Sequence, residues 1–88
     1  MRYRVVFQKD AKRDLEGMPA HVQRRVLRWL DLLAEDPRRA GTRQLEGYLG
    51  IRRVHAGKDY VVLYTVQEQD VVVLVLAVAH RREVYRRL

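Results

Sequence analysis

Apolar and polar positions along the 88-residue chain change their period twice, near Lys9 and near Ile51. Residues 2–7, RYRVVF, combine β-branched and aromatic side chains with Tyr3, Val5 and Phe7 on one face, the pattern of a strand. From Lys9 the apolar positions Ala11, Leu15 and Met18 recur at helical spacing, and Gly17 and Pro19 stop the run. A second helix can begin at Pro19. Its Val22, Val26, Trp29, Leu30 and Leu33 form one apolar stripe, while Arg24, Arg25, Arg28, Asp31 and Glu35 fall largely off it, and Pro37 marks its end. The two runs predict a helical hairpin, 9–18 and 20–35, whose stripe is core.

Residues 37–50 read as a loop, with three glycines and three arginines. Three strand candidates follow, 51–55, 59–66 and 71–78, separated by the turn-like Ala56-Gly57-Lys58 and Glu68-Gln69-Asp70. Connections this short require antiparallel neighbours. Tyr60, Val62, Tyr64 and Val66 share a face, assigned to the helices. The last strand is apolar throughout, as expected of one buried on both faces. The expected fold is therefore α+β, one domain over 1–88, in the order β-α-α-β-β-β: an antiparallel sheet with a two-helix hairpin packed on one face. There is no repeat, linker or low-complexity segment.

Length limits such a chain to about one sheet and one helical layer. An apolar fraction of 48% argues against disorder. With no cysteine, a disulfide framework, a thiolate zinc site and a cysteine nucleophile are excluded, and His21, His55 and His80 show no metal-ligand spacing. The start, MRYRVVFQKD, lacks the apolar core of a signal peptide, and no apolar stretch reaches the roughly 18 residues of a membrane span, so a cytoplasmic protein is expected. Charge changes the picture most. Eighteen Lys plus Arg against eleven Asp plus Glu give a formal +7, and arginine dominates. Its planar fork suits phosphate and stacks on bases, which favours nucleic acid or an acidic protein partner; genome composition or thermal adaptation would produce the same bias without a partner.

Strand alternation separates the faces. If Val54 faces the helices, Arg53 and His55 point the other way, together with Val61, Leu63 and Thr65. The final strand ends at His80-Arg81, so Arg53, His55, His80, Arg81 and Tyr85 are expected to gather at the uncovered face and strand ends. Taken singly, an exposed His or Arg is usually solvated; the convergence is what points to chemistry. RNA can be cut without metal or cofactor, because its own 2′-hydroxyl is the nucleophile. The site then needs a base, cations for the charged phosphorane and an acid for the leaving 5′-oxygen. Histidine, arginine and tyrosine supply these roles.

The chain resembles the RelE/ParE superfamily of bacterial toxin–antitoxin toxins, most closely its RelE-like branch, over nearly its whole length. The resemblance rests on VVFQKDAKRDLEGMP, LAEDPRRAGTRQLEG, the hairpin-like IRRVHAGKDYVVLY and the ending VAHRREVY. It implies a RelE-like microbial RNase fold that enters the ribosome and cleaves mRNA without metal, leaving a cyclic phosphate. It also implies a cognate antitoxin partner; that no membrane is involved is expected from the apolar pattern alone. By position it implies catalytic roles for Arg53, His55, Arg81 and Tyr85. His80, beside Arg81, is with His55 a candidate catalytic base, and Arg52, Lys58 and Arg82 are further candidates for RNA binding. Two departures stand out. Val61 replaces the arginine that follows D-Y in the family hairpin, and His55 replaces its second arginine. They leave open a differently arranged or weak nuclease, a ParE-like inhibitor of DNA gyrase, or a toxin fold with decayed activity acting as a protein-binding module. If the groove lacks one cation, Val61→Arg is expected to raise cleavage.

Overall fold

A computed structural model describes residues 2–88. β1 (Arg4–Phe7) leads into α1 (Lys9–Glu16) and α2 (Ala20–Glu35); β2 (Thr42–Gln44), β3 (Ile51–His55), β4 (Tyr60–Gln67) and β5 (Val72–His80) follow, and a short 3-10 tail (Val84–Arg87) ends the chain. The five strands form one sheet in the order β1-β5-β4-β3-β2. Both helices pack on one face, as their stripes require. Val22, Val26, Leu30 and Leu33 of α2 and Ala11 of α1 meet Val54, Val62, Tyr64, Val73, Val75 and Val78 of the sheet. Tyr64 is fully buried, and its hydroxyl donates to the Pro37 carbonyl at 2.6 Å, which satisfies the one polar atom it carries inward. Trp29 is only half-buried and lies against Gly41, where an added Cβ would stand 2.9 Å from the Trp29 ring.

Two features depart from the expected sheet. β1 pairs with β5 in parallel, Val5 opposite Val73 and Phe7 opposite Val75, so the sheet is antiparallel only from β5 to β2. No short connection links β1 to β5, so the turn-length rule that orients the other strands is silent about this pair. Within the segment expected to be loop, residues 42–44 form β2, antiparallel to β3.

The sheet face away from the helices is also not open across its middle. Leu45, Val61, Leu63, Ala77, Ala79 and Val84 form a second buried cluster there, with Ile51 and Leu76 packed against it. The lid comes from the chain just after β2 and from the tail. β5 therefore is buried on both faces, as its uninterrupted apolar run requires. Its alternation is broken once. Tyr64 pairs with Val75 and Leu63 with Ala77, which leaves Leu76 as an extra residue in the ladder. Before this bulge Val73 and Val75 face the helices; after it Val78 does, and Ala77 and Ala79 join the second cluster.

Candidate active site

β2 and β3 build a cationic concavity. Arg43 and Arg53 are direct cross-strand partners and therefore share a face, and His55 joins them two residues along β3. That face is the one away from the helices, because the intervening Val54 is buried in the helix-side core. The Arg53 Nη1 lies 3.4 Å from His55 Nε2, a contact that requires Nε2 to be the acceptor. A cavity of about 340 Å³ is lined by Gly41, Thr42, Arg43, Arg53 and His55. A second hollow of about 220 Å³ shares Arg43 and Arg53 and adds Gln44, Leu45, Glu46 and Tyr85. Together they make one groove along the β2–β3 edge, beside the apolar plug of the second cluster.

Like charges directly opposite on neighbouring strands repel. Neither Arg43 nor Arg53 has an ion-pair partner among the described residues. Glu46 lines the same hollow but pairs with neither, so both guanidiniums keep donors for an anion from outside. Two guanidinium forks on one face suit phosphate oxygens, an imidazole beside them is a candidate proton acceptor, and the half-exposed Tyr85 ring (51%) offers a stacking face.

The other candidates lie elsewhere. His80 is the cross-strand partner of Tyr60 and meets its ring edge-on, with centroids 5.6 Å apart, in a cavity shared with Asp14, Met18 and Pro19 of the helical layer. The bulge at Leu76 causes this. Without it His80 would have pointed to the face of Arg53; with it, His80 turns to the helix side. The expected gathering of both histidines in one groove does not occur. Arg81 follows at the strand end, exposed, with its backbone N–H donating to the Asp59 carbonyl and its Nε 3.9 Å from Asp59 Oδ1; it does not line the groove. Arg82 is exposed beside it. Arg52 lies on the helix side of β3, where its Nη2 donates to Thr42 Oγ1 at 2.8 Å. Lys58 is exposed in the β3–β4 turn, next to Gly57, whose missing Cβ makes room for the Arg25 guanidinium. Val61 is 2% exposed beneath the plug, so position 61 is not on the groove wall.

Arg43 is the residue the sequence reading missed. A three-residue strand is too short for periodicity to register, and it took the pairing to β3 to bring this guanidinium opposite Arg53.

Comparison with known proteins adds the following. The family model described as the ParE toxin of the type II toxin–antitoxin system parDE matches residues 5–85. Toxin RelG of Mycobacterium tuberculosis is 33% identical over 91 residues, covering 99% of this chain and 100% of that protein. The fold is similar to that in the archaeal RelE–RelB complex from Pyrococcus horikoshii, with TM-score 0.76 and 32% identity over 92% of this chain and 97% of that one. It is similar also to the toxin–antitoxin complex RelBE2 of M. tuberculosis, with TM-score 0.79 and 28% identity over 92% and 100%.

Proposed function

The chain belongs to the RelE/ParE superfamily of type II toxin–antitoxin toxins, and from that premise we propose that it is a metal-independent endoribonuclease cutting mRNA on the ribosome. The observation that carries this reading is the convergence of Arg43, Arg53, His55 and Tyr85 on one unpaired cationic groove. In this reading Arg53 exchanges its contact with His55 Nε2 for the phosphate, and the freed Nε2 takes the proton of a ribose 2′-hydroxyl. The resulting oxygen attacks the adjacent phosphorus, and Arg43 and Arg53 hold the phosphorane's non-bridging oxygens. The bond to the 5′-oxygen breaks, leaving a 2′,3′-cyclic phosphate and a 5′-hydroxyl. Tyr85 stacks on a neighbouring base and offers its hydroxyl to return a proton to the leaving oxygen. His55 carries the base role alone, since His80 faces the helices. Arg81, Arg82 and Lys58, exposed outside the groove, extend the phosphate contacts along the strand of RNA. The partner that restrains this activity is a cognate antitoxin, an acidic or amphipathic segment suited to a +7 surface.

One observation favours a second reading. Val61 fills the position of the family arginine and is buried under the tail, so this site works with a different cation set or does not cut RNA. The alternative target is DNA gyrase. Purified protein is to be incubated with programmed ribosomes, with and without EDTA, and the mRNA ends mapped. EDTA-resistant cuts that disappear in Arg53→Ala support the nuclease. Intact messages together with double-strand DNA breaks in expressing cells would replace it with the gyrase reading.

A further inference from the structure

The 3-10 tail is held at two points. Val84 is 1% exposed and fills the second cluster with Val61 and Ala79. Three residues on, Arg87 Nη1 donates to both carboxylate oxygens of Asp14 on α1, at 2.6 Å each. In a 3-10 helix side chains i and i+3 eclipse. Val84 and Arg87 therefore form one inward stripe, and Tyr85 is turned about a third of a revolution away from it, into the hollow with Arg43 and Arg53.

The two anchors do different work. Burial of Val84 is non-directional, so by itself it leaves a four-residue helix free to roll about its axis. The charge-assisted pair is directional and fixes the roll. This pair is the most sheltered ion pair among the described residues: its side chains are 29% and 18% exposed, against 47% to 81% in the others. Solvent screens it correspondingly less. Asp14 is itself anchored on its other side. β1 stops pairing at Val75, and beyond it the Val78 N–H of β5 donates to Asp14 Oδ2 at 3.1 Å. One carboxylate thus ties α1, the free edge of β5 and the tail together.

We infer that Asp14 is a positioning residue for the groove: through Arg87 it sets the roll of the tail, and with it the placement of Tyr85 against Arg43 and Arg53. The inference rests on the groove being the site of RNA cleavage. Arg87 reaches Asp14 through one nitrogen rather than a fork, so a lysine ammonium can take its place.

The test is a double-mutant cycle on ribosome-dependent mRNA cleavage, read beside amide hydrogen exchange of the tail. Asp14→Asn keeps an acceptor for the Val78 N–H and removes the charge that holds Arg87. It is expected to lower turnover on the order of ten- to a hundredfold with little change in KM, the signature of a misplaced group. In a Tyr85→Ala background the same change is expected to cost less than about twofold, because nothing is left to misplace. Arg87→Lys should stay within about threefold of the wild type, whereas Arg87→Ala should match Asp14→Asn. An equal loss from Asp14→Asn with and without Tyr85, or no loss at all, overturns the inference. If the unmodified protein cuts no message, the nuclease reading falls by itself and exchange decides the latch. Amides of 85–88 should then exchange about tenfold faster in Asp14→Asn while β4 amides keep their protection; unchanged tail exchange would refute it.

Discussion

Single side chains in the groove differ in what they are asked to do, and their substitution should separate the roles. Arg53→Ala and Arg43→Ala each remove a donor aimed at developing phosphorane charge, so each should cost on the order of a hundredfold in single-turnover cleavage. Tyr85→Phe should retain most activity where stacking is the contribution, and should match Tyr85→Ala where the hydroxyl is. The burial of Val61 reverses an expectation drawn from the sequence. An arginine there would have to lie among Leu63, Ala79 and Val84 in a cluster with no acidic partner. Val61→Arg should lose on the order of 3 kcal/mol of stability or dislodge the tail, and so should lower cleavage rather than raise it. The urea midpoint of the purified variant checks this directly.

At the scale of elements, backbone conformation sets what the hairpins tolerate. Val71, in the turn just before β5, has φ +53, a left-handed conformation that a β-branched residue adopts only under strain, while its carbonyl accepts from Arg4 N–H to begin the β1–β5 pairing. Val71→Gly should relieve that strain and raise stability by about 1 kcal/mol, measured by thermal unfolding. Gly41, leading into β2, has φ +96 and lies under Trp29. Gly41→Ala should cost about 1–3 kcal/mol. Because β2 carries Arg43, the same change should weaken cleavage beyond its effect on stability. The two substitutions move stability in opposite directions for one reason, the fit of a Cβ to a positive φ.

For the whole molecule, a charged tie joins the ends of three segments. The Tyr3 hydroxyl donates to Glu68 Oε2 at 2.7 Å, and Arg38 pairs with the other oxygen of Glu68. These contacts hold the Glu68 carboxyl below its ordinary value, the Tyr3 hydrogen bond most and Arg38 next. Its share of stability is therefore fully present above about pH 4.3 and is lost as pH falls through the lowered value of the folded state. The Tyr3 phenol is raised, first by the same bond, so its share is present below about pH 10 and lost as pH rises beyond that. Glu68→Gln should flatten the acid limb of a stability-against-pH curve. The second whole-molecule prediction concerns restraint. A +7 domain with an unpaired cationic groove should arrest growth when expressed alone, and co-expression of a cognate antitoxin should restore growth. Harmless high-level expression would mark a toxin fold without activity.

The amphipathic period of 20–35, the punctuation at Gly17 and Pro19 and the short turns after His55 and Val66 were enough to set the helical hairpin, the β3-β4-β5 meander and the face of Arg53 and His55. These are local properties, written in spacings of two and 3.6 residues. The +7 charge favours an anionic partner, and four motifs in order carry the resemblance to the family. Other features depend on partners distant in the chain. β2 is three residues long and is defined only by its backbone pairing with β3. The parallel pairing of β1 with β5 joins segments from opposite ends of the chain. Closure of the second face depends on Leu45 and Val84, separated by nearly half the chain, meeting over Val61. The placement of the two histidines turned on one residue. In a run as uniformly apolar as VVVLVLAVA no alternation reveals a bulge, and the extra residue at Leu76 reverses which side every later side chain takes. Composition supplied the groups for the chemistry; long-range pairing decided that His55 shares a groove with two arginines and that His80 lies behind the sheet.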